Sequence, residues 1–447
     1  MQHYLLYGRE RLMVALPKEA RVTVIRKPKM PVLKDPRAAI EDALRAPIMA
    51  IEVESKPLSE LARRARSACI AICDITRPVP NGLFLRPLVE ALVTAGVPLR
   101  AITILVATGL HRPNLGHELA ELIGDPWILE SVQVVNHDAR CDDEHVNLGR
   151  TATRGTEVKL DRRFVEADMR IVTGLVEPHF MAGYSGGRKV IAPGLAHADT
   201  ITTFHNCAFM ENIHAANCNL DRNPLHEEQL EIVRMLGDVF ALNTVIDEDR
   251  NLAMVNFGDA IESHRQAVAF VQPFCRVAVD QKFDTVVTSA AGYPLDKTYY
   301  QTVKGMVGAI AILKPGGNLV IASKCEEGLG SSEYQAAQRA LIQSGIDGFL
   351  ASIRPKPYAD IDEWQTQMQT KAMKAGNIHL YSSLSTSNKS LTGVNTIDNL
   401  EEAIQRLVDQ STDKALAIIP EGPYVIPYYK PTARVRPERT GRTGPRQ

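Results

Sequence analysis

The chain has 447 residues, more than one hydrophobic core usually serves, so two domains are expected. Hydrophobic residues make up 45% and charged residues 23%, as in an ordinary soluble globular protein, and 51 Lys+Arg against 52 Asp+Glu leave a net charge of -1. That balance excludes the basic face a nucleic-acid binder needs, and no run approaches the roughly 18 uninterrupted apolar residues of a membrane span, so neither nucleic acid nor membrane is an expected partner.

MQHYLLYGRERLMVALP at the start has charges close behind a short apolar run and reads as no signal peptide. The 7 cysteines are scattered without a CxxC pair, which suits free thiols in a reducing cytosol, so the expected location is cytoplasmic. Ala68–Cys73 (ACIAIC) reads as a buried strand, Leu83–Ala95 as an amphipathic helix and Ala101–Ala107 (AITILVA) as a second strand. Together they form a βαβ unit with parallel strands. A strand at Met169–Gly174, a helix around Leu225–Met235 and strands at Phe240–Ile246 and Leu252–Phe257 continue the alternation.

A second unit begins beyond a boundary near Phe270–Arg276. Thr285–Ser289 reads as a strand and Lys297–Leu313 as a helix; KPGG stops that helix and turns the chain into a strand at Asn318–Ala322. Ile361–Ala375 has helical spacing, and Ala415–Ile419 reads as a last strand. The fold class is therefore α/β: two domains, each with βαβ units and a largely parallel or mixed sheet, and the active site in the cleft between them. Residues 1–273 form the first domain, which carries the cofactor site and is completed by 413–429; residues 277–412 form the second, which closes over substrate. Residues 430–447 are a mobile basic tail.

Ligands of open α/β sheets bind beyond the carboxyl ends of the strands, so the residues there carry the functional reading. They are Asp74 and Arg77 after the first run, His111 after the second, Glu177 and His179 after the third, and GYPLDKTYYQTVK, with Tyr300, Gln301 and Lys304, in the second unit. Each alone has a bland explanation: a turn cap, a surface ion pair, a satisfied loop histidine, a solvated helix face. Jointly they suit proton transfer in both directions on a small anion, with two histidines as acid and base, Arg77 gripping a carboxylate and Lys304 giving a compact charge.

Between two histidines lies GYSGGRK, Gly183 to Lys189. It fits neither GxxxxGK[ST] nor GxGxxG, but Ser185, Gly186 and Gly187 permit an anion-binding nest to which Arg188 and Lys189 add charge. His205, Cys207, His214 and Cys218 make an H-x-C-x6-H-x3-C series that is not a standard zinc pattern.

VEPHFMAGYSGGRKVIAPG with FHN beyond it, together with DITRPVP, ATGLHRP, YQTVK and PEGPY, resembles the nickel-pincer lactate racemase family in consistent order from about Asp74 to Pro423. The resemblance implies a nickel-pincer nucleotide, pyridinium-3-thioamide-5-thiocarboxylic acid mononucleotide, gripping nickel through two sulfurs and a ring carbon. It further implies that Lys189 tethers that cofactor covalently and that His205 is the protein's nickel ligand, a soft square-planar set unlike zinc's. His111 and His179 match the family's proton-transfer pair, Arg77, Gln301 and Lys304 its substrate-binding and polarising positions, Asp74 an acid that orients a neighbouring base, and Trp364, with Tyr300, the lining of the substrate pocket. Leu110 departs from the pattern, standing where a smaller residue is expected.

The implied activity is an isomerase: racemisation or epimerisation of lactate or a related 2-hydroxy acid by reversible hydride transfer, with separate enzymes making the cofactor. Two other readings remain open: a zinc-dependent hydrolase using His205, Cys207 and His214, and a non-catalytic nucleotide-binding protein. Tyr300 and Trp364 weakly favour a small or apolar substrate side chain, and whether the chain forms a homo-oligomer stays open.

Overall fold

The computed structural model describes residues 2–431. The tail assigned to 430–447 thus falls, from residue 432 on, outside the described residues. Two six-stranded sheets organise the chain. The first runs Leu252–Asp259, Phe240–Ile246, Met169–Leu175, Ala68–Cys73, Ile102–Ala107, Gln133–Asn136, parallel except where Leu252–Asp259 returns antiparallel at the edge. The second runs Asn395–Ile397, Gly376–Tyr381, Leu313–Ala322, Phe283–Ser289, Ala415–Ile419, Arg21–Val24, parallel throughout.

The period of two along Ala68–Cys73 sends Ala68, Ile70 and Ile72 into a core shared with Phe84, Leu88 and Leu92 of the helix Asn81–Thr94, and Cys69 and Ala71 into the core on the other face. With both faces covered, the strand reads as an unbroken apolar run, which is why the sequence marks it so clearly.

Two expectations are corrected. KPGG does not end a helix: the helix stops at Ala309, a single 3-10 turn follows, and Lys314–Gly317 lie inside the strand Leu313–Ala322, where a register shift between Phe283 and Thr285 absorbs them. The boundary read near Phe270–Arg276 falls at the end of the helix Glu262–Cys275, where the chain enters the strand Arg276–Val279, which pairs with Ile426–Tyr429. Segments assigned to the first domain also differ: Arg21–Val24 forms the edge of the second sheet beside Ala415–Ile419, itself next to Phe283–Ser289. The sequence division cannot see this, because the pairing joins segments almost the whole chain apart. Among the described residues no helix is long and apolar enough to cross a membrane, and all seven cysteines are free.

Candidate active site

The carboxyl ends of the first sheet's strands and the start of the helix Tyr299–Ala309 enclose one cleft. Asp74, Arg77, His111, His179, Ser185, Gly186, Lys189, His205, Tyr300, Gln301, Lys304 and Trp364 all line it. Thr298 starts the helix by accepting the Gln301 N–H at 3.4 Å, and the spacing of Tyr300, Gln301 and Lys304 puts all three on one helical face.

The two histidines are held in different states. His111 Nδ1 lies 2.6 Å from Asp74 Oδ2, and Asp74 Oδ1 accepts from Thr76 Oγ1 at 2.6 Å. Burial pushes the Asp74 carboxyl up, but the charge and hydrogen bond of His111, with help from Thr76 and Arg77, outweigh it and hold Asp74 below the usual carboxylate range. A proton shared with Asp74 at Nδ1 leaves Nε2 of His111 as the basic atom. His179 is the reverse. Its Nδ1 accepts the backbone N–H groups of Met181 at 3.3 Å and Ala182 at 3.1 Å, so the neutral ring carries its proton on Nε2. Burial first, then Lys189 and Arg77, hold His179 well below the usual histidine range, and it stays neutral.

Arg77 Nη1 donates to Glu177 Oε1 at 2.7 Å. Burial works against the Arg77 charge, but Glu177 outweighs it and holds the guanidinium above its ordinary value; burial pushes Glu177 up in turn. The other Glu177 carboxylate oxygen is buried without a partner, and so is Gln301 Oε1, which leaves an acceptor free beside Lys304. Burial, then Arg77 and Lys189, lower Lys304 well below the usual lysine range. Lys189 falls to about 7, through burial first and then Arg77, against weaker upward pulls from Cys73 and Asp74. An amine so placed is a nucleophile near neutral pH.

His205 Nδ1 bonds the carbonyl of Ile201 at 2.9 Å, and burial lowers the ring to about 3, so it is neutral with Nε2 unprotonated. Both features suit a metal ligand, whose tautomer is usually fixed by such a bond. Its ring packs on Trp364 at 4.9 Å between centroids, and Trp364 Nε1 donates to the Tyr300 hydroxyl at 3.2 Å.

Two of the predicted binding residues are not brought to the cleft. Arg188 is buried behind the loop, its guanidinium donating to His226 Nδ1 at 2.9 Å and the Ala182 carbonyl at 2.9 Å and meeting His264 Nε2 at 2.8 Å; burial lowers it to about 9. Gly187 faces the same layer: a Cβ there would meet His264 Cβ at 2.9 Å. Arg188 and Lys189 are neighbours on a four-residue helix, Arg188–Ile191, about 100° apart, and here that turn sends Lys189 into the cleft and Arg188 into the layer behind it. Gly186 does reach the cleft, with φ +77 and room for no Cβ, since one would lie 2.8 Å from Val176 Cγ2.

The zinc set does not assemble. Cys207 Sγ accepts from Gln367 Nε2 at 3.0 Å, and among the described residues no three His, Cys, Asp or Glu side chains converge to hold a metal. Two residues gained no role from the sequence. Glu177, quoted inside EPHF, anchors Arg77; Asp362, two residues before Trp364, lines the cleft with φ +64. Its only sequence signal was an acidic pair ahead of a helix, DEW.

A family model described as the lactate racemase N-terminal domain matches residues 7–217, and one described as the lactate racemase C-terminal domain matches 279–426. A lactate racemase from Thermoanaerobacterium thermosaccharolyticum is 31% identical over 82% of this chain and 84% of its own length. One from Lactiplantibacillus plantarum is 30% identical over 84% of this chain and 88% of its own. The solved lactate racemase apoprotein from T. thermosaccharolyticum superposes with a TM-score of 0.84 at 28% identity, covering 96% of this chain and all 100% of that one. A Thermotoga maritima protein shares the fold, with a TM-score of 0.65 at 17% identity. The chain belongs to the lactate racemase family.

Proposed function

We propose that this chain is a nickel-dependent racemase or epimerase of a 2-hydroxy acid, with a pincer nucleotide tethered at Lys189 and nickel held by His205. The observation that carries the reading is one buried cleft containing an amine lowered to about 7, a neutral histidine with Nδ1 already bonded, and two histidines of opposite tautomer beside Arg77 and Lys304. The residues fit the cofactor: Lys189 is nucleophilic, His205 offers Nε2, and Ser185 and Gly186 line the same cleft, whereas Gly187 and Arg188 shape the loop from behind. When bound, the nucleotide supplies an electron-poor ring that accepts and returns the substrate's α-hydride. The relatives are lactate racemases, which makes lactate and related acids the first substrates to test.

The chain's own residues do the rest. Lys304 and the free N–H groups of Arg77 bind the carboxylate, and Gln301 Oε1 accepts an O–H. His111 takes the hydroxyl proton at Nε2, and Asp74 stabilises the imidazolium that forms. His179 presents Nε2–H to an oxygen; to act as a base there it must first release Met181 and Ala182. The two hands of substrate are therefore served by unlike groups. Separate enzymes supply the nucleotide, and a reducing cytosol suits the seven free thiols.

The tethering step has a pH signature. A lysine at about 7 has about a tenth of its amine neutral at pH 6 and about nine-tenths at pH 8, while an ordinary lysine has fewer than about one in a thousand neutral at pH 7. Because the shift is downward, reactivity grows as pH rises through about 7 and then levels off. A pH-jump labelling of the apoprotein with a limiting amine-reactive ester, read by peptide mass, should show Lys189 modified with that midpoint; a midpoint near 10 contradicts it. Nickel and a mass increment on Lys189 in protein that racemises lactate test the whole reading, and turnover with neither sinks it.

A further inference from the structure

Beside the cleft lies a second and larger chamber, about 320 Å³ against about 130 Å³. The two share Asp74, Thr76, Leu110, His111, Tyr300, Gln301 and Asp362, so they adjoin, with His111 and Tyr300 between them. The half-exposed edge of His111, 39% accessible, is consistent with open space on that side. Arg77, His179 and Lys304 line the smaller part only. If the carboxylate and C2 of a 2-hydroxy acid sit there, the substituent on C2 leads past Tyr300 into the chamber.

The chamber's wall says what that substituent is. Asp362 is buried, holds a left-handed backbone at φ +64, accepts from Ser331 Oγ at 2.5 Å and lies within hydrogen-bonding reach of the Tyr300 hydroxyl. A buried carboxylate on a strained backbone is costly, and the proton transfers above do not use it. Beyond it stand Thr298 and a closed ion cluster. Lys297 Nζ pairs with Glu118 at 2.9 Å and Glu327 at 2.7 Å, and Arg112 pairs with Glu118 at 2.6 Å and Glu327 at 3.4 Å. Both cations are already matched by carboxylates, so a second substrate carboxylate would face Asp362 with no spare charge to receive it. An alkyl or aryl group would strip water from Asp362 and return no hydrogen bond. A methyl group would leave the chamber to water. Hydroxyl groups are neutral and donate to Asp362, and they are the chemistry left.

We infer that the preferred substrate is a 2-hydroxy acid with a hydroxylated carbon chain, an aldonic acid, and that Asp362 is the residue that selects it. This rests on the 2-hydroxy acid reading above and departs from the sequence expectation of a small or apolar side chain, which weighed only Tyr300 and Trp364.

The test uses holoenzyme produced together with the cofactor-making enzymes and four probes: lactate, malate, mandelate and gluconate. Epimerisation at C2 is followed by chiral or diastereomer-resolving chromatography. Gluconate should exceed each of the others in kcat/KM by at least about 10-fold, the scale of one charge-assisted hydrogen bond. Asp362→Asn and Asp362→Gly both tolerate the left-handed backbone. Each should lower the gluconate-to-lactate ratio of kcat/KM by about 10–100-fold, mainly through KM for gluconate. Preference for lactate, malate or mandelate overturns the inference while leaving the racemase reading intact, and so does an equal loss on gluconate and lactate in both variants. Turnover of none of the four overturns the racemase reading and this inference with it.

Discussion

His111→Ala turns over 2-hydroxy acid about 10²–10⁴-fold more slowly than the parent chain and keeps its nickel and its Lys189 adduct. The magnitude is that of a lost general base, the role proposed for His111. Asp74 at 2.6 Å occupies Nδ1, and of the other two imidazoles lining the cleft His179 has Nδ1 bonded to two backbone N–H groups and His205 is the proposed metal ligand. Asp74→Asn should fall in the same direction by less, since it removes the charge that stabilises the imidazolium but keeps a polar partner. His179 supplies the contrast. If it acts through Nε2–H as it stands, His179→Gln, which retains an N–H donor, recovers part of what His179→Ala loses, whereas His111→Gln recovers nothing. Single-turnover rates on each enantiomer, alongside nickel content and intact mass, measure all of these. Equal damage to both enantiomers from His111→Gln and His179→Gln contradicts the unlike roles.

The fold's interior was legible because burial on both faces of a parallel strand writes a continuous apolar run. Ala68–Cys73 and Ala415–Ile419 are found where the sequence put them. Edges were not. Arg21–Val24, RVTV, is β-branched but only four residues long with no fully buried side chain, and its sheet partner lies nearly four hundred residues away. KPGG misled because proline and glycine usually break helices, and a long strand with an irregular register uses them equally well. At the site, the polar residues read at strand ends line one cleft together, since the position of a strand's carboxyl end follows from the strand. Which way a side chain turns does not. Arg188 and Lys189 are equal in the sequence and opposite in space, and Asp362 is remote from every strand end, delivered by the start of the helix Glu363–Ala375.

The other large effect belongs to Lys189 and His205, and the two should separate. Lys189→Met cannot form an amide-type bond, so no adduct appears by intact mass and racemisation falls to background. Lys189→Arg does the same while keeping the charge, which removes simple loss of a cation as the cause. The folded apoprotein should not suffer. An ammonium buried beside Arg77 and lowered to about 7 opposes folding, so Lys189→Met apoprotein should melt no lower than the parent measured at the same pH, and higher at pH 6, where the parent carries that charge. The sign follows from the shift: the lowered lysine costs stability wherever it would otherwise be protonated, and removing it returns that cost. His205→Ala should keep the Lys189 adduct and lose nickel. Loss of an outer partner of a metal-bound histidine already costs about 10–100-fold in metal affinity, and loss of the histidine itself should cost at least as much. A His205→Ala protein with full nickel, or a Lys189→Met protein with lowered melting and an intact adduct on another residue, would reverse the assignment of tether and ligand.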